Sequence, residues 1–386
     1  MSLIHLILII LLVSALILFY KYIDFNMWVT LICSAFIVMI IVNPTLCINS
    51  TLSGAKLFFY KVFPSLFTFL IISTLIVSCN GVELYSKIFG LPLCRPLKLP
   101  KQCSLVLIIS VLCGYPMGAK YCCELYENNY IDLETCQRLL NIATNASPIF
   151  LIGAVGTAML KTPLLGYLLL ISNILSCIFM SFILPQKQFN SIKKNAPKSI
   201  SENFGSILKT CIDNSIKNSL SIGGFVILFS VINSFIKSSI IFNTALNKIS
   251  FLINIPKDAI EGLLLGLIEM TNGCSLISSA PVNMYYKLGI ISFLVSFSGA
   301  SIITQVYSFT YKFELSMKKY VFRKAVQGFI SAILSFMLYF IISLKPNSAV
   351  ANYSLSGINS YIWTITLILL IFPLSIYAVR KLFNIS

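Results

Sequence analysis

Apolar runs of about 18–22 residues recur along the chain and are separated by short polar or basic segments. A helix of that length crosses the hydrocarbon core of a bilayer, so each run predicts a membrane-spanning helix. The first run, "LIHLILIILLVSALILFY", lacks the basic start of a secretory signal, and we expect it to be retained. The predicted spans are 2–20, 27–48, 63–80, 139–160, 163–184, 220–238, 288–309, 325–344 and 358–379.

Two further apolar segments, 102–128 and 257–286, are interrupted midway by turn residues. The interruptions read "CGYPMGAK" from Cys113 and "GLIEMTNG" from Gly266. A Pro-Lys pair, Pro100–Lys101 or Pro256–Lys257, marks the start of each segment, and the break comes fourteen positions after the proline, at Gly114 and Met270. This match predicts two re-entrant helical hairpins, each of which enters and leaves the membrane on one side.

A second interruption follows each hairpin. The spans at 139–160 and 288–309 contain small polar stretches, "TNAS" at Thr144–Ser147 and "SGAS" at Ser298–Ser301. If the polar linker that starts at Pro185 is cytoplasmic, the hairpins enter from opposite sides, and most of the 28 lysines and arginines are cytoplasmic. The sequence therefore predicts an all-α polytopic membrane protein whose two halves form an inverted repeat.

The polar linker also sets the predicted domain organisation. Its sequence, "PQKQFNSIKKNAPKSISENFGS", separates two halves of similar pattern. Short amphipathic segments near 50–62 and 240–254 precede the hairpin of each half. The predicted parts are N-terminal scaffold helices (1–62), a first repeat (63–184) with hairpin 102–128, a cytoplasmic linker (185–219), a second repeat (220–344) with hairpin 257–286, and a C-terminal helix (345–386).

Composition also indicates a membrane protein, and the positions of the basic residues account for its positive net charge. Of the 386 residues, 58% are hydrophobic and 10% are charged, and the mean hydropathy is +0.91. A net charge of +16 can indicate a nucleic-acid partner, but the lysines lie between apolar runs, where they orient helices, so we expect no nucleic acid. The 12 cysteines are scattered through apolar segments without a CxxC pair, and we expect packing roles and no metal site.

The interruptions form the candidate functional site. In hydrocarbon, irregular backbone is tolerated only beside protein or a water-filled cavity, because each unpaired amide or carbonyl costs several kcal/mol. Breaks that meet near the bilayer midplane therefore predict a cavity, where half-helix N-termini favour an anionic ligand. The candidate substrate-binding residues are Gly114, Tyr115, Pro116, Met117, Gly118, Lys120, Thr144, Asn145, Ser147, Glu269, Thr271, Asn272, Gly273, Ser298, Ser301 and Gln305.

Some of these candidates carry specific expectations. Tyr115 offers a ring for stacking and a hydroxyl, and Pro116 suits the first turn of the returning half-helix. Lys120 can pair with Glu269, bind a substrate carboxylate, or only extend its ammonium to the cytoplasmic surface. Glu269 can bind an ion or the substrate, or it can be a buried carboxyl that accepts backbone N–H groups or stays protonated. The neutral polar residues bind cargo or only join helices.

Other charged groups are interpreted as solvated, and nothing indicates catalysis. The solvated groups are Glu124, Glu127, Asp132, Glu134 and Arg138 in a cytoplasmic turn, and Asp258 and Glu261 near the membrane surface. The single histidine is His5, and the chain has no GxSxG, HExxH or phosphate-binding loop. We therefore expect no enzyme activity and no cofactor. Transport would therefore run on a coupling ion, Na⁺ or H⁺, or on the substrate's own gradient, and this choice stays open.

Four segments resemble one family of membrane proteins. These segments, "VFPSLFTFLIISTLIV" from Val62, "CGYPMGAK", "TNASPIFLIGAVG" from Thr144 and "GLIEMTNG", are similar to the YlbJ (SpoVV-like) sporulation integral membrane proteins. That family carries the nucleoside-recognition gate domain found in concentrative nucleoside transporters. The resemblance implies a concentrative-nucleoside-transporter-like fold, a homotrimer, and a place in the mother-cell-derived outer forespore membrane or the cell membrane of a spore-forming bacterium.

The resemblance also implies dipicolinic acid as the cargo. We therefore predict a secondary transporter of a small organic anion, surrounded by the lipid bilayer. The first hairpin lacks the Gln-Thr-Glu pattern of true nucleoside transporters, which weakens a nucleoside cargo and a sodium site. Two alternatives stay open: transport of a nucleoside or related metabolite, and a scaffold or assembly factor of the spore envelope that transports nothing.

Overall fold

The computed structural model describes residues 25–79, 81–184 and 203–343. The predicted spans 2–20 and 358–379, the predicted C-terminal part (345–386) and linker residues 185–202 lie outside these ranges. The described residues are helical and contain no strand.

Fifteen α-helices make up the described fold. They are α1 (Phe25–Val42), α2 (Pro44–Leu57), α3 (Phe63–Ser78), α4 (Gly81–Ile88), α5 (Ser104–Cys113), α6 (Met117–Glu127), α7 (Leu133–Ile142), α8 (Pro163–Ile183), α9 (Phe204–Ser238), α10 (Ile240–Ile253), α11 (Lys257–Ile268), α12 (Met270–Ser279), α13 (Met284–Phe297), α14 (Gly299–Thr310) and α15 (Met317–Ser343). Wider π-helical turns cover Phe58–Val62, Gly90–Cys94 and Ile149–Met159, and a short 3₁₀ turn covers Lys101–Cys103.

Four candidate membrane spans are present in the described residues by length and apolar composition. They are α8, α9, α13 together with α14, and α15. The number rises to six if each of two bent pairs is one span, namely Asn26–Val42 with Pro44–Tyr60 and Leu66–Ser78 with Gly81–Ile88. The larger number predicted from the whole sequence stays a prediction.

The predicted spans at 27–48 and 220–238 differ from the helices that form. The span at 27–48 is bent by 103° at Asn43, because Pro44 starts a new helix and disfavours helical backbone in the residue before it. The span at 220–238 starts earlier, at Phe204, so the last part of the predicted linker is helical. Asn203 caps this helix by accepting the Gly205 N–H.

Both interrupted segments form antiparallel helical hairpins. The first consists of α5 and α6, with the break at Gly114, and the second consists of α11 and α12, with the break at Glu269. In the second hairpin the backbones of Gly266 and Gly273 are in contact. A Cβ atom added at Gly273 would lie 2.8 Å from the carbonyl oxygen of Gly262. Small residues thus let the two helices approach closely, as is common in membrane proteins.

The same order of elements occurs twice. In the first half the hairpin is followed by α7, a break at 143–148 and the π-helical segment Ile149–Met159. In the second half the hairpin is followed by α13, a break at Ser298 and α14. The predicted interruptions "TNAS" and "SGAS" are therefore both breaks in the helical backbone.

Helix α15 packs against α13 and closes the fold. The Phe336 ring lies against Gly289, and the Phe293 ring lies against Gly328. Each ring fills the space that a side chain at the facing glycine would take, so the helices interlock without a polar contact at these points. This packing brings the first half of α15 beside the break at 143–148.

Candidate functional site

The first break is built around Gly114. Helix α5 ends at Cys113, and Gly114 adopts φ +75°, a conformation that side chains disfavour. The Tyr115–Pro116 peptide bond is cis. Pro116 was predicted in the first turn of the returning helix, but it lies directly before α6. The carbonyl oxygen of Pro116 accepts the N–H of Ala119 at 3.0 Å, so this start of the returning helix is satisfied internally.

The second break is capped by the side chain of Glu269. Its two carboxylate oxygens accept the N–H groups of Thr271, at 3.0 Å, and of Asn272, at 2.8 Å. The residue is buried, with 5% of its surface exposed. The first turn of α12 therefore has its own negative partner, and its partial positive charge is not free for an external anion. This is the backbone-capping alternative that the sequence left open.

Each hairpin break contacts the later break in its own half. The Tyr115 N–H donates to the carbonyl oxygen of Asn145 at 2.7 Å. In the second half, Gly299 lies against the end of α11, where an added Cβ would be 3.0 Å from the carbonyl oxygen of Gly266. Ser298, just before it, has φ +81°. The four breaks thus form two pairs.

Tyr115 joins the two pairs. Its hydroxyl donates a hydrogen bond to Sδ of Met270, at 2.6 Å, and lies 3.5 Å from the carbonyl oxygen of Val295 on α13. Met270 follows Glu269 in the second break, and Val295 precedes Ser298. The Tyr115 side chain from the first half therefore contacts both the hairpin break and helix α13 of the second half.

A cavity of about 350 Å³ lies where the breaks meet. Most of its wall is apolar, with a few polar groups that converge, which is typical of small-molecule sites. None of the described residues that line it is a lysine or arginine. The predicted site residues in its lining are Gly114, Tyr115, Ser147, Glu269, Thr271, Ser301 and Gln305.

The remaining predicted site residues do not line this cavity. Thr144 and Asn145 belong to a buried hydrogen-bond network that is described below. The backbone N–H of Asn272 donates to Glu269. Ser298 has a buried hydroxyl with no hydrogen-bond partner among the described residues. The others, apart from Lys120, are buried in the packing of the hairpins: Pro116, Met117, Gly118 and Gly273.

Lys120 lies away from the cavity. Its ammonium is 4.5 Å from the centre of the Tyr121 ring, and it forms no ion pair with Glu269. Another acidic residue of the second hairpin, Glu261, does form an ion pair, with Lys237, and the charged atoms are 2.9 Å apart. Glu261 is buried, so the interpretation of this residue as solvated is wrong. The apolar neighbours of Glu261 on α11 and its lysine partner account for the burial.

A buried polar network beside the break at 143–148 was not predicted. Lys324 of α15 is fully buried, and its ammonium donates hydrogen bonds to the carbonyl oxygen of Thr144 and, at 2.9 Å, to Oε1 of Gln327. Gln327 Nε2 donates to Oδ1 of Asn145 at 3.1 Å, and the Tyr320 hydroxyl donates to Oγ1 of Thr144 at 3.0 Å. The network holds the break against α15.

One sequence signal could have revealed this network. Tyr320, Lys324 and Gln327 are spaced so that they share one face of a helix, and that face continues into an apolar stretch. We interpreted Lys324 as an orienting charge because it ends the basic segment that starts at Lys312. Its burial depends on a contact with a residue far away in the sequence, which the local pattern does not show.

Arg138 is also buried, although the sequence placed it on a solvated turn. Only 6% of its surface is exposed. Its guanidinium donates to the carbonyl oxygens of Leu184, at 2.7 Å, Leu97, at 2.9 Å, and Ser181. Five N–H donors in one plane can satisfy several carbonyls, and the end of α8 carries partial negative charge. The arginine therefore ties this helix end to the segment before Lys98.

Comparison with known proteins gives one informative relative. The chain is similar to the sporulation integral membrane protein YlbJ of Bacillus subtilis (strain 168), with 26% identity over 324 residues that cover 78% of this chain and 79% of that protein. This similarity supports membership of the YlbJ family. No family model and no solved structure matches the chain. As a relative of YlbJ with several long apolar helices, the protein has an integral membrane location in a spore-forming bacterium.

Proposed function

We propose that this YlbJ-family protein is a secondary transporter of a small organic anion, dipicolinate, in a membrane that surrounds the developing spore. The observation that carries the proposal is the cavity between the two hairpin breaks, whose lining includes both Tyr115 and Glu269. The sporulation relative gives the biological setting. Within this proposal the hairpins are re-entrant, and the repeated order of elements is an inverted repeat of the concentrative-nucleoside-transporter type.

The cavity has the chemistry for a planar, partly polar cargo. Apolar walls and the Tyr115 ring suit an aromatic ring, and Ser147, Thr271 and Gln305 offer hydrogen-bonding groups. The volume of about 350 Å³ lies in the range of sites for small molecules. Dipicolinate, a pyridine ring with two carboxylates, fits this combination of groups.

The charge of the cavity limits how an anion can bind. Glu269 lines the cavity, and no described cation does. An ionised Glu269 would repel a carboxylate at close range, whereas the acid form removes this repulsion and keeps one oxygen that can accept a backbone N–H. We therefore propose that a proton on Glu269 accompanies the cargo, which makes H⁺ the coupling ion.

The test uses full-length protein in liposomes and measures uptake of radiolabelled dipicolinate under an imposed proton or sodium gradient. Glu269→Gln mimics the acid form, so we expect binding to remain and gradient-driven accumulation to be lost. Glu261→Gln is the matched control, because it neutralises a buried carboxylate outside the cavity. Lys120→Ala should keep uptake, since Lys120 does not line the cavity.

The outcomes separate the alternatives. Uptake driven by sodium and unaffected by Glu269→Gln would contradict proton coupling. Binding of a radiolabelled nucleoside in place of dipicolinate would favour the nucleoside alternative. An absence of both binding and uptake would favour a scaffold or assembly role. The proposal includes no catalysis. The homotrimer that we propose rests only on the resemblance to concentrative nucleoside transporters.

A further inference from the structure

A second cavity, of about 670 Å³, shares no lining residue with the cavity between the breaks. Among the described residues that line it, basic side chains outnumber acidic ones by six to two. We call it the basic cavity. Its basic residues are Arg95, Lys98, Lys101, Arg138, Lys319 and Arg323, and its acidic residues are Asp132 and Glu134.

Most of this positive charge has no nearby carboxylate. Within the described part of the chain, no carboxylate oxygen lies within 4.0 Å of the nitrogen atoms of Arg95 or of the three lysines. Asp132 is already occupied, because it caps α7 by accepting the Thr135 N–H at 2.8 Å. The basic cavity therefore has unneutralised positive charge, which attracts anions most strongly where apolar walls lower the local dielectric.

The basic cavity is held in shape by specific contacts. Arg138 binds the carbonyl oxygen of Leu97 and so fixes the segment that carries Lys98. Gly90 packs against Lys101, where an added Cβ would lie 2.7 Å from the Lys101 Cβ. These contacts hold Lys98 and Lys101 in fixed backbone positions at the basic cavity, so their charges do not depend on flexible surface segments.

Hydrogen bonds connect the basic cavity to the breaks. Arg323 donates to Oδ1 of Asn141 at 3.4 Å, and Asn141 Nδ2 donates to the carbonyl oxygen of Tyr320 at 3.3 Å. The Tyr320 hydroxyl then donates to Thr144, in the break whose next carbonyl binds the Tyr115 N–H. Arg323 therefore lies beside residues that contact the break at 143–148, and that break in turn contacts Tyr115 in the wall of the other cavity.

We propose that the basic cavity is a collecting site for small dicarboxylates on the cytoplasmic side of the membrane. The inference rests on the proposed function and adds where the anion binds first. Of the six cations, the four without a nearby carboxylate in the described residues, Arg95, Lys98, Lys101 and Lys319, supply the attraction that the cavity between the breaks lacks. Guanidinium and ammonium groups bind carboxylates through charge-assisted hydrogen bonds. All six belong to the residues that the charge pattern places on the cytoplasmic side.

The experiment measures the Kd of dipicolinate for purified full-length protein in neutral detergent, by calorimetry at low salt. The test variant is Lys98→Gln/Lys319→Gln, for which we expect Kd to rise about tenfold. The control is Lys87→Gln/Lys318→Gln, which removes the same charge from exposed lysines outside the cavity. Added salt should weaken wild-type binding, and the neutral pyridine-2,6-dicarboxamide should not respond to either change.

Two results would overturn the inference. One is an equal Kd in the test and control variants. The other is loss of dipicolinate binding when phosphatidylglycerol is added to the micelles, which would assign the basic cavity to lipid headgroups. The wild-type protein can fail to take up dipicolinate in liposomes while Lys98→Gln/Lys319→Gln still weakens dipicolinate binding. That result would contradict the proposed transport function and would support the basic cavity as a dicarboxylate site.

Discussion

The ammonium group of Lys324 donates a hydrogen bond to the carbonyl oxygen of Thr144, which lies 180 residues earlier in the chain. Thr144 belongs to a break where the backbone leaves the helix, so its carbonyl oxygen has no helical N–H partner. A side chain from α15 supplies that partner from outside the broken segment. The break is therefore stabilised by a contact between distant parts of the sequence.

Lys324→Met should lower the apparent melting temperature of the purified protein. The substitution keeps most of the side-chain volume but leaves the oxygens of Thr144 and Gln327 without their donor. Each buried acceptor that loses its partner costs about 1–3 kcal/mol. Lys318→Met, six residues earlier on the same helix and exposed, is the control and should change little. A Lys324→Met variant as stable as Lys318→Met would show that the network does not stabilise the break.

Gly273→Ala should destabilise the second hairpin. The new methyl group would lie 2.9 Å from the backbone nitrogen of Gly266, and backbone atoms cannot move aside cheaply. Overpacking of this kind costs about 1–3 kcal/mol, which thermal unfolding in detergent can detect. Gly224→Ala is the control, because nothing lies within 4 Å of its added methyl group. In the interior of α9 that change should be neutral or stabilising by up to about 1 kcal/mol. Equal melting temperatures would argue against close backbone packing.

The charge pattern predicts which lysines face the cytoplasm. In intact protoplasts of a Gram-positive host, a membrane-impermeant amine reagent should modify Lys161 and Lys248, which are exposed and assigned to the outer side. Lys98 and Lys319 should react only after the cells are permeabilised. Mass spectrometry of the labelled peptides gives the answer for all four lysines at once. Modification of Lys98 in intact cells would exclude the predicted orientation.

The sequence predicted the helix breaks because each one interrupts an apolar pattern. Gly114 is followed by proline, and Glu269 is an ionisable residue in an otherwise apolar stretch, so both stand out within a short window. The same local contrast marked Thr144 and Ser298. Such positions can be found without knowing what they touch.

The sequence did not reveal which side chains from other helices meet these breaks. Lys324 and Arg138 lie beside other charged residues and have the pattern of solvated or orienting groups, yet both are buried against carbonyl oxygens. The start of α9 was missed because its buried face, which includes Cys211 and Ser215, is small and partly polar and gives a weak apolar signal. In each case a tertiary contact decides the outcome.

Tyr115 is held differently by the two halves of the protein. Its N–H binds a strong acceptor, the carbonyl oxygen of Asn145, while its hydroxyl reaches the thioether of Met270, a weak acceptor. If the protein alternates between inward-open and outward-open states, the tip of the first hairpin should travel with its own half. The weak contact between the Tyr115 hydroxyl and Met270 would then be lost during the cycle, while the hydrogen bond from the Tyr115 N–H to Asn145 is kept.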